Sequence, residues 1–411
     1  GPAISWKGID ENLYYFIGKD KNYQDVSGCG NTIAANRGLV RKLIIESLKC
    51  WASELGVDGF RFDLGIALSR GENLSPLDNP PIFEDIECEP ELIDIKFISE
   101  PWDCGGLYKL GDFPSKNTFT WNGHFRDDLR RFWKGDKDTA WNMSDKIKGS
   151  PSIYKEDNIF PKSINFITSH DGFTLKDLVT FNRKHNFANR EQNRDGDNHN
   201  NSWNHGTEGP TTNLLINDLR KRQQKNLILS LLISKGVPMI LMGDEIGRSQ
   251  GGNNNSWCQN NLLGWMNWEH GQQDLELLEY FKYVIKIRKK LIKIFNPSFF
   301  PNNQTNENIP TYHWHGTKLD SPDWSSWSHT VAFSINKDNT NPLVWIGLNA
   351  YSKSIDFPLP KCKYNWLKVI DTSMSEIFEP LTINEKSVSI KSRSSLLIIS
   401  EEVFGAKNNL F

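Results

Sequence analysis

Between about residues 37 and 291, segments with helical spacing of apolar residues alternate with short apolar runs bounded by turn residues. That alternation restricts the fold more than any other feature, because neighbouring parallel strands need a crossover of a dozen or more residues between them. A helix is expected over about 37–55, with Leu39, Leu43, Ile44, Leu48 and Trp51 at helical spacing and a glycine at its end. The run Val57–Leu64 follows, with the length of a buried strand. Ile95–Ser99 reads as a strand, and 122–134 as a helix carrying Phe125, Leu129, Phe132 and Trp133 on one face. Ser163–Ser169 (strand), 217–235 (helix), Val237–Met242 (strand) and about 273–291 (helix) continue the pattern. Strands this short suit a (β/α)8 barrel of the TIM type. The first thirty residues read as loop. After about residue 296 the character changes: Thr330–Asn336, Leu343–Asn349 and Ser394–Ile399 look like antiparallel strands separated by Asn, Asp, Pro and Ser turns. The expected division is an α/β barrel part over 1–295 and, over 296–411, a linker and a C-terminal antiparallel β-sandwich, with 301–328 bridging the two.

Three of these strand ends share a chemistry. Asp63 ends the run VDGFRFD, Glu100 ends IKFISE, and Asp171 follows INFITSH. In a barrel of parallel strands the C-terminal ends converge on one face, so carboxylates far apart in sequence meet over its centre. A single acid at a strand end more often caps the next helix. Three of them, each set among Gly, aromatic and Arg or His neighbours, point instead to paired-carboxylate catalysis. Glycoside hydrolysis needs one ionised carboxylate to attack and a second to protonate the leaving oxygen. Arg61 lies two residues before Asp63, on the same face of the strand, and favours its charged form. His170, beside Asp171, is placed to hydrogen-bond a sugar hydroxyl.

Composition is compatible with that reading without proving it. The net charge is −2, which gives no electrostatic reason for nucleic acid or an anionic membrane as partner. The chain carries 15 Trp, enough for a large core and for indole faces that stack on sugar rings. No run approaches the length of a membrane span.

At the residues just named, the sequence resembles the α-amylase superfamily of glycoside hydrolases, glycoside hydrolase family 13, and more narrowly its isoamylase and glycogen-debranching branch. GVDGFRFDL resembles that superfamily's nucleophile strand, FISEPWDCGGLYKLGDFP its acid/base segment in the isoamylase version, and SINFITSHDGFTLKDLVTFNRKHNFAN its fourth conserved region. The resemblance implies Asp63 as nucleophile, Glu100 as general acid/base and Asp171 as transition-state stabiliser, with Arg61 and His170 as their partners at the substrate. Trp102 and Asp103, directly after Glu100, are expected to border the sugar subsites. SGCGNT at 27–32, the stretch 184–209 and VPMILMGDEIGRSQGGNNNSWCQNN at 237–261 extend the resemblance over nearly the whole chain. It implies hydrolysis of α-1,6 branch linkages in glycogen, amylopectin or limit dextrin. The family's earlier conserved region, a strand ending in an Asn-His pair, its first three barrel strands and its N-terminal β-sandwich are expected to lie before this sequence. The chain is therefore expected to be the C-terminal part of a longer enzyme and, alone, poorly stable and close to inactive. The competing functions are a non-catalytic glucan-binding subunit and a sister activity on α-1,4 bonds or with transfer to an acceptor.

The remaining motifs are weaker. Asp244-Glu245 fits a cap of the next helix better than an extension of the cleft. The run Gly251–Asn255 is too polar for a core and reads as a loop at the cleft rim. Asp195-Gly196-Asp197 has a calcium-like flavour but lacks the EF-hand spacing, and no His/Cys constellation suits a transition metal, so no cofactor is expected. The six cysteines are scattered and read as free thiols of a reducing compartment, cytoplasm or plastid stroma.

Overall fold

The computed structural model describes residues 4–154, 162–269, 271–295, 311–336, 341–375, 377 and 379–405. Five short strands hydrogen-bond in chain order: β1 (Gly59–Phe62), β2 (Lys96–Ser99), β3 (Thr118–Trp121), β4 (Ser163–Phe166) and β5 (Val237–Met239). The pairs from β1 to β4 are parallel. A six-stranded antiparallel sheet and a two-stranded one complete the fold. Both halves of the expected fold class, a central parallel sheet and a C-terminal antiparallel domain, are therefore present. No helix among the described residues is long and apolar enough to cross a membrane.

The residues group into two compact units. The first holds the described residues through Asn122, with 152–154 and 162–164. Its helix α1 (Lys7–Tyr14) occupies ground expected to be loop, although Asp10 breaks its regular geometry. Helix α2 (Gly38–Lys49) continues into a π-helical turn at Cys50–Glu54, so together they span the expected helix. Its buried face is offset from the expected one: Val40 and Leu48 are buried, whereas Leu39 and Trp51 are exposed. Helix α3 (Pro81–Glu87) starts with proline at its first position, where the missing N–H costs nothing. Leu48, Ile82, Phe83, Ile86, Leu92 and Phe97 form the core of this unit. Gly59 is required by packing, since a Cβ there would lie 2.8 Å from the carbonyl oxygen of Lys96 on the neighbouring strand. At the end of β3, the wholly buried Asn122 donates its N–H to Ile164 O (2.9 Å) and its Nδ2 to Ser163 Oγ (2.9 Å).

The second unit holds residues 123–151 and 165 onward. Helices α4 (Gly123–Lys134), α5 (Ala140–Ile147), α6 (Leu175–Leu178), α7 (Leu214–Ile233) and α8 (Gln272–Phe295) precede the antiparallel strands. Phe125, Leu129, Phe132 and Trp133 are all buried, as their spacing predicts. The large sheet has the order β11-β10-β13-β8-β7-β6, from β6 (Thr311–His315), β7 (Thr330–Asn336), β8 (Pro342–Asn349), β10 (Trp366–Asp371), β11 (Leu381–Ile383) and β13 (Ser394–Ser400). The small sheet pairs β9 (Ile355–Pro358) with β12 (Ser387–Ile390), and α9 (Glu401–Gly405) follows β13. Both faces of the large sheet are covered, which explains why β8 and β13 are buried at every position. Val344, Ile346, Leu348 and Phe333 join the helices in one core, while the alternate residues Trp345, Ala332, Ile398 and Leu396 join Phe357 and Ile390 in another. The expected bridge at 301–328 is not plain linker: Thr311–His315 is strand β6, paired with β7, and 301–310 lie outside the described residues.

Buried guanidinium groups tie this unit together by capping carbonyls. Arg130 of α4 donates to Ile167 O and Asn200 O, Arg220 to the carbonyls of Asn204, Thr207 and Gly209, and Arg288 to those of Leu232, Ser234 and Gly236. Burial lowers the Arg130 pKa to about 9.

Candidate active site

The candidate nucleophile and acid/base both belong to the first unit. Phe62 and Ser99 are register partners in the parallel pair, so Asp63 and Glu100, the next residue on each strand, leave the same end of the sheet side by side. The Glu100 backbone is fixed on both sides, its N–H donating to Phe62 O and its carbonyl accepting from Ile66 N–H. Carboxylate oxygens of the two acids come within 4.8 Å of each other. Their surroundings differ sharply: the Asp63 side chain is 73% exposed and that of Glu100 only 2%.

Arg61 joins them. Its Nη1 donates to Asp63 Oδ1 at 2.9 Å, its Nη2 donates to Glu100 Oε1, and its guanidinium lies 4.5 Å from the centre of the Trp121 ring. The second Glu100 oxygen accepts the backbone N–H of Leu64 at 2.7 Å. Delivering that N–H puts Leu64 in the left-handed region, at φ 42°, a conformation costly for a branched side chain and typical of functional turns. Trp102 is half-buried in an aromatic cluster with Tyr108 and Trp121.

Asp103 departs from expectation. It is buried, and its Oδ2 accepts two bonds from Arg70 while Oδ1 accepts the backbone N–H groups of Gly105 and Leu107. All of its capacity goes into holding the 103–108 loop, so it does not border a subsite. An acid beside Trp102 gave no sequence signal of this, because its partner Arg70 is remote in the chain.

His170 and Asp171 lie in the second unit, in the turn after β4. Both are exposed, with His170 Nε2 3.5 Å from Asp171 Oδ2. Gly172 follows at φ 107°, a value glycine alone adopts freely, and its N–H donates to Asn254 O. Arg130 caps Ile167 O just ahead of the turn. The turn is thus held by Asn254 and Arg130, both remote from it in the chain.

The polar run 251–255 is the main correction. Asn253 and Asn254 are 0% and 1% exposed, and they form a buried polar core rather than a rim loop. Asn254 accepts from Asn186 Nδ2, donates its N–H to Asn186 Oδ1, and donates Nδ2 to Asn200 Oδ1 and Asp197 O. Asn253 donates to Asn189 Oδ1, and Asn189 donates to Asp195 Oδ2. Within the Asp195-Gly196-Asp197 stretch, the ammonium of Lys184 binds the carbonyls of Arg194, Asp195 and Gly196. A built-in cation thus sits on the carbonyls of that stretch. Composition misreads such a core as surface, since buried amides are stable only when every partner is supplied.

Asp244 caps a helix, but α6 rather than the one following it. Its Oδ1 accepts the N–H of Leu175 at 2.9 Å and its Oδ2 the Thr168 hydroxyl. Burial pushes its pKa up to about 7. The six cysteines carry free thiols.

Known proteins resemble this chain in sequence and in fold. A family described as Isoamylase 1-3, C-terminal, matches residues 313–402. The chain is 39% identical over 404 residues to "Isoamylase 1, chloroplastic" of Oryza sativa subsp. japonica, covering 93% of this chain and 49% of that protein. It is 36% identical over 424 residues to a "Glycogen operon protein GlgX homolog" of Mycobacterium bovis, covering 97% of this chain and 58% of that one. The chain therefore spans about half the length of the curated relatives it matches. Its fold matches that of the pullulanase from Bacillus acidopullulyticus with a TM-score of 0.68 at 20% identity, over 94% of this chain and 43% of that one.

Proposed function

Because the chain belongs to the isoamylase and GlgX-like family of debranching enzymes in glycoside hydrolase family 13, we propose that it carries the catalytic carboxylates of a hydrolase acting on α-1,6 branch linkages of glycogen- or amylopectin-like glucans. The supporting observation is the cluster of Asp63, Arg61 and Glu100, with carboxylate oxygens within 4.8 Å. Retaining glycosidases set their two carboxyl groups about 5–5.5 Å apart, against about 6.5–9.5 Å for inverting ones.

In this mechanism Asp63, exposed and hydrogen-bonded by Arg61, attacks the anomeric carbon while Glu100 gives its proton to the glycosidic oxygen. The bond to the main chain breaks, the main chain leaves with a new hydroxyl, and the side branch is held as an ester of Asp63. Water then gives a proton to Glu100 and its oxygen to the anomeric carbon, which frees Asp63. Both Glu100 oxygens accept N–H donors here, an arrangement suited to the base form that the second step needs. Loading Glu100 with a proton for the first step requires Arg61 to shift toward Asp63. Asp171 stabilises the developing positive charge, His170 bonds a ring hydroxyl and Trp102 borders the sugar.

The test is reducing-end release from amylopectin by the chain extended with the family's N-terminal region, as wild type and as Asp63→Asn, beside the unextended chain. Linear maltodextrins from the wild type, with a loss of at least ~10³-fold in the variant, are expected. Equal inertness of the two, with retained binding to amylopectin, would replace this reading with that of a glucan-binding subunit.

A further inference from the structure

Lys184 spends every donor it has on backbone. An ammonium carries three N–H groups and no acceptor. Here they meet three successive carbonyls, Arg194 O at 3.1 Å, Asp195 O at 2.8 Å and Gly196 O at 2.9 Å. Lys184 is only 8% exposed, and it makes no ion pair among the described residues. Converging carbonyl oxygens are ligands that proteins offer to bare cations, and the ammonium occupies such a position.

Turning successive carbonyls toward one point needs a tight turn, and Gly196 supplies it at φ 74°. The turn packs directly on the buried amides: a Cβ at Gly196 would lie 2.3 Å from Asn254 Oδ1 and 2.7 Å from Asn186 Nδ2. Asp195 O, one of the three carbonyls, also accepts from Asn186 Nδ2 at 2.9 Å, and the same amide group donates to Asn254 Oδ1 at 2.8 Å. The Asn254 carbonyl accepts the Gly172 N–H at 2.9 Å. An unbroken line of hydrogen bonds therefore joins the ammonium, through Asp195, Asn186 and Asn254, to the residue after Asp171. All of it lies in the second unit.

With the charge removed, three carbonyl dipoles face one another without a donor, and the turn relaxes by opening. We propose that Lys184 is a positioning residue, an internal cation that acts as a bound metal ion would, closing the 194–196 turn and through it fixing the His170–Asp171 turn. The part of Asp171 in stabilising a transition state rests on the debranching reading above; the cation site does not.

The chain holds three Asp-Gly pairs, Asp58-Gly59, Asp171-Gly172 and Asp195-Gly196. Labelling aspartate carbonyls with ¹³C and glycine nitrogens with ¹⁵N therefore selects three amide signals. One reports on the cation site, one on the Asp171 turn, and Gly59 on β1 is the control. They are assigned by the signal lost in Asp58→Asn and the signal lost in Asp195→Asn. In Lys184→Ala the Gly196 and Gly172 signals are expected to move while Gly59 stays. Propylammonium, which matches the atoms the substitution deletes, is expected to return both saturably. Tetramethylammonium, equal in charge but without N–H, is expected to leave them displaced. In the N-terminally extended enzyme, kcat on amylopectin falls about tenfold in Lys184→Ala with KM unchanged, and propylammonium restores it. A Gly172 signal unmoved in Lys184→Ala would overturn the positioning role. Rescue by tetramethylammonium equal to that by propylammonium, or by neither, would overturn the cation site. Where Lys184→Ala folds only with an added amine, the same comparison is read from the return of all three signals. An inactive extended wild type whose signals behave as expected would sink the debranching reading and leave the cation site standing.

Discussion

At the scale of single residues, Arg61 is the group on which the candidate site turns. It binds the exposed Asp63 and the buried Glu100 at once, and rests on Trp121. Arg61→Met would take its cationic partner from the buried Glu100, and breaking a buried pair costs about 3–5 kcal/mol. Arg61→Lys keeps a positive charge but loses the fork that reaches both acids. Urea denaturation is expected to place Arg61→Met well below the wild type and Arg61→Lys between them. Release of reducing ends is expected to fall by at least ~10²-fold in both. Equal stability of Arg61→Met and the wild type would mean that the guanidinium does not balance Glu100. Asp63, Glu100 and Arg61 were all legible in the sequence, since they end or adjoin strands. The left-handed Leu64 was not: nothing in a leucine announces positive φ, and only the need to deliver its N–H to Glu100 explains it.

At the scale of elements, the same division holds for a physical reason. Helical and strand periodicity report apolar faces, and so α4, α7, β1, β2, β7, β8 and β13 were found close to their observed limits. The offset of α2 arises because period alone does not say which side the core occupies. Strands β3 and β6 alternate polar and aromatic residues, but at four and five residues they are too short for the period to stand out from the turn-rich sequence around them. The Asn-rich core behind the His170–Asp171 turn was misread because polar sequence normally means water. In the folded chain Asn254 makes side-chain bonds to Asn186, Asn200 and Asp197, while its backbone holds Asn186 and Gly172. Asn254→Ala keeps the backbone bonds but orphans the Asn200 oxygen and one N–H of the Asn186 amide, which keeps its bond to Asp195 O. A loss of about 2–4 kcal/mol is expected in urea denaturation, together with a fall in turnover through the loosened turn. A change of under ~0.5 kcal/mol would show that the network is not a structural support.

At the scale of the whole molecule, buried ionisable groups act on stability in opposite directions as pH changes. Asp244, with its pKa raised by burial to about 7, holds a proton in the folded state that it loses more readily when unfolded. Its contribution therefore falls as pH rises from about 4 to 7, and Asp177, also raised by burial, acts the same way. His205 has its pKa lowered to about 3, by burial first and then by Arg393 and Arg220. Its contribution is fully present above about 6.5 and is lost as pH falls toward 3. The wild-type stability is expected to change little over this window. Asp244→Asn removes the opposing slope, so its stability should rise with pH from about 4 to 6.5, whereas His205→Gln should lose stability with rising pH. Parallel curves for both variants, from urea melts at each pH, would contradict the assignment. A chemical consequence attends Asn122. It precedes Gly123, the neighbour that most favours spontaneous amide loss, because an unbranched residue lets its nitrogen close on the asparagine side chain. While Asn122 is buried, with its amide on Ser163 and its N–H on Ile164, that ring closure is blocked. Deamidation there would proceed only while β3 is open, so the slow accumulation of aspartate at this one peptide records the time the protein has spent unfolded over its life.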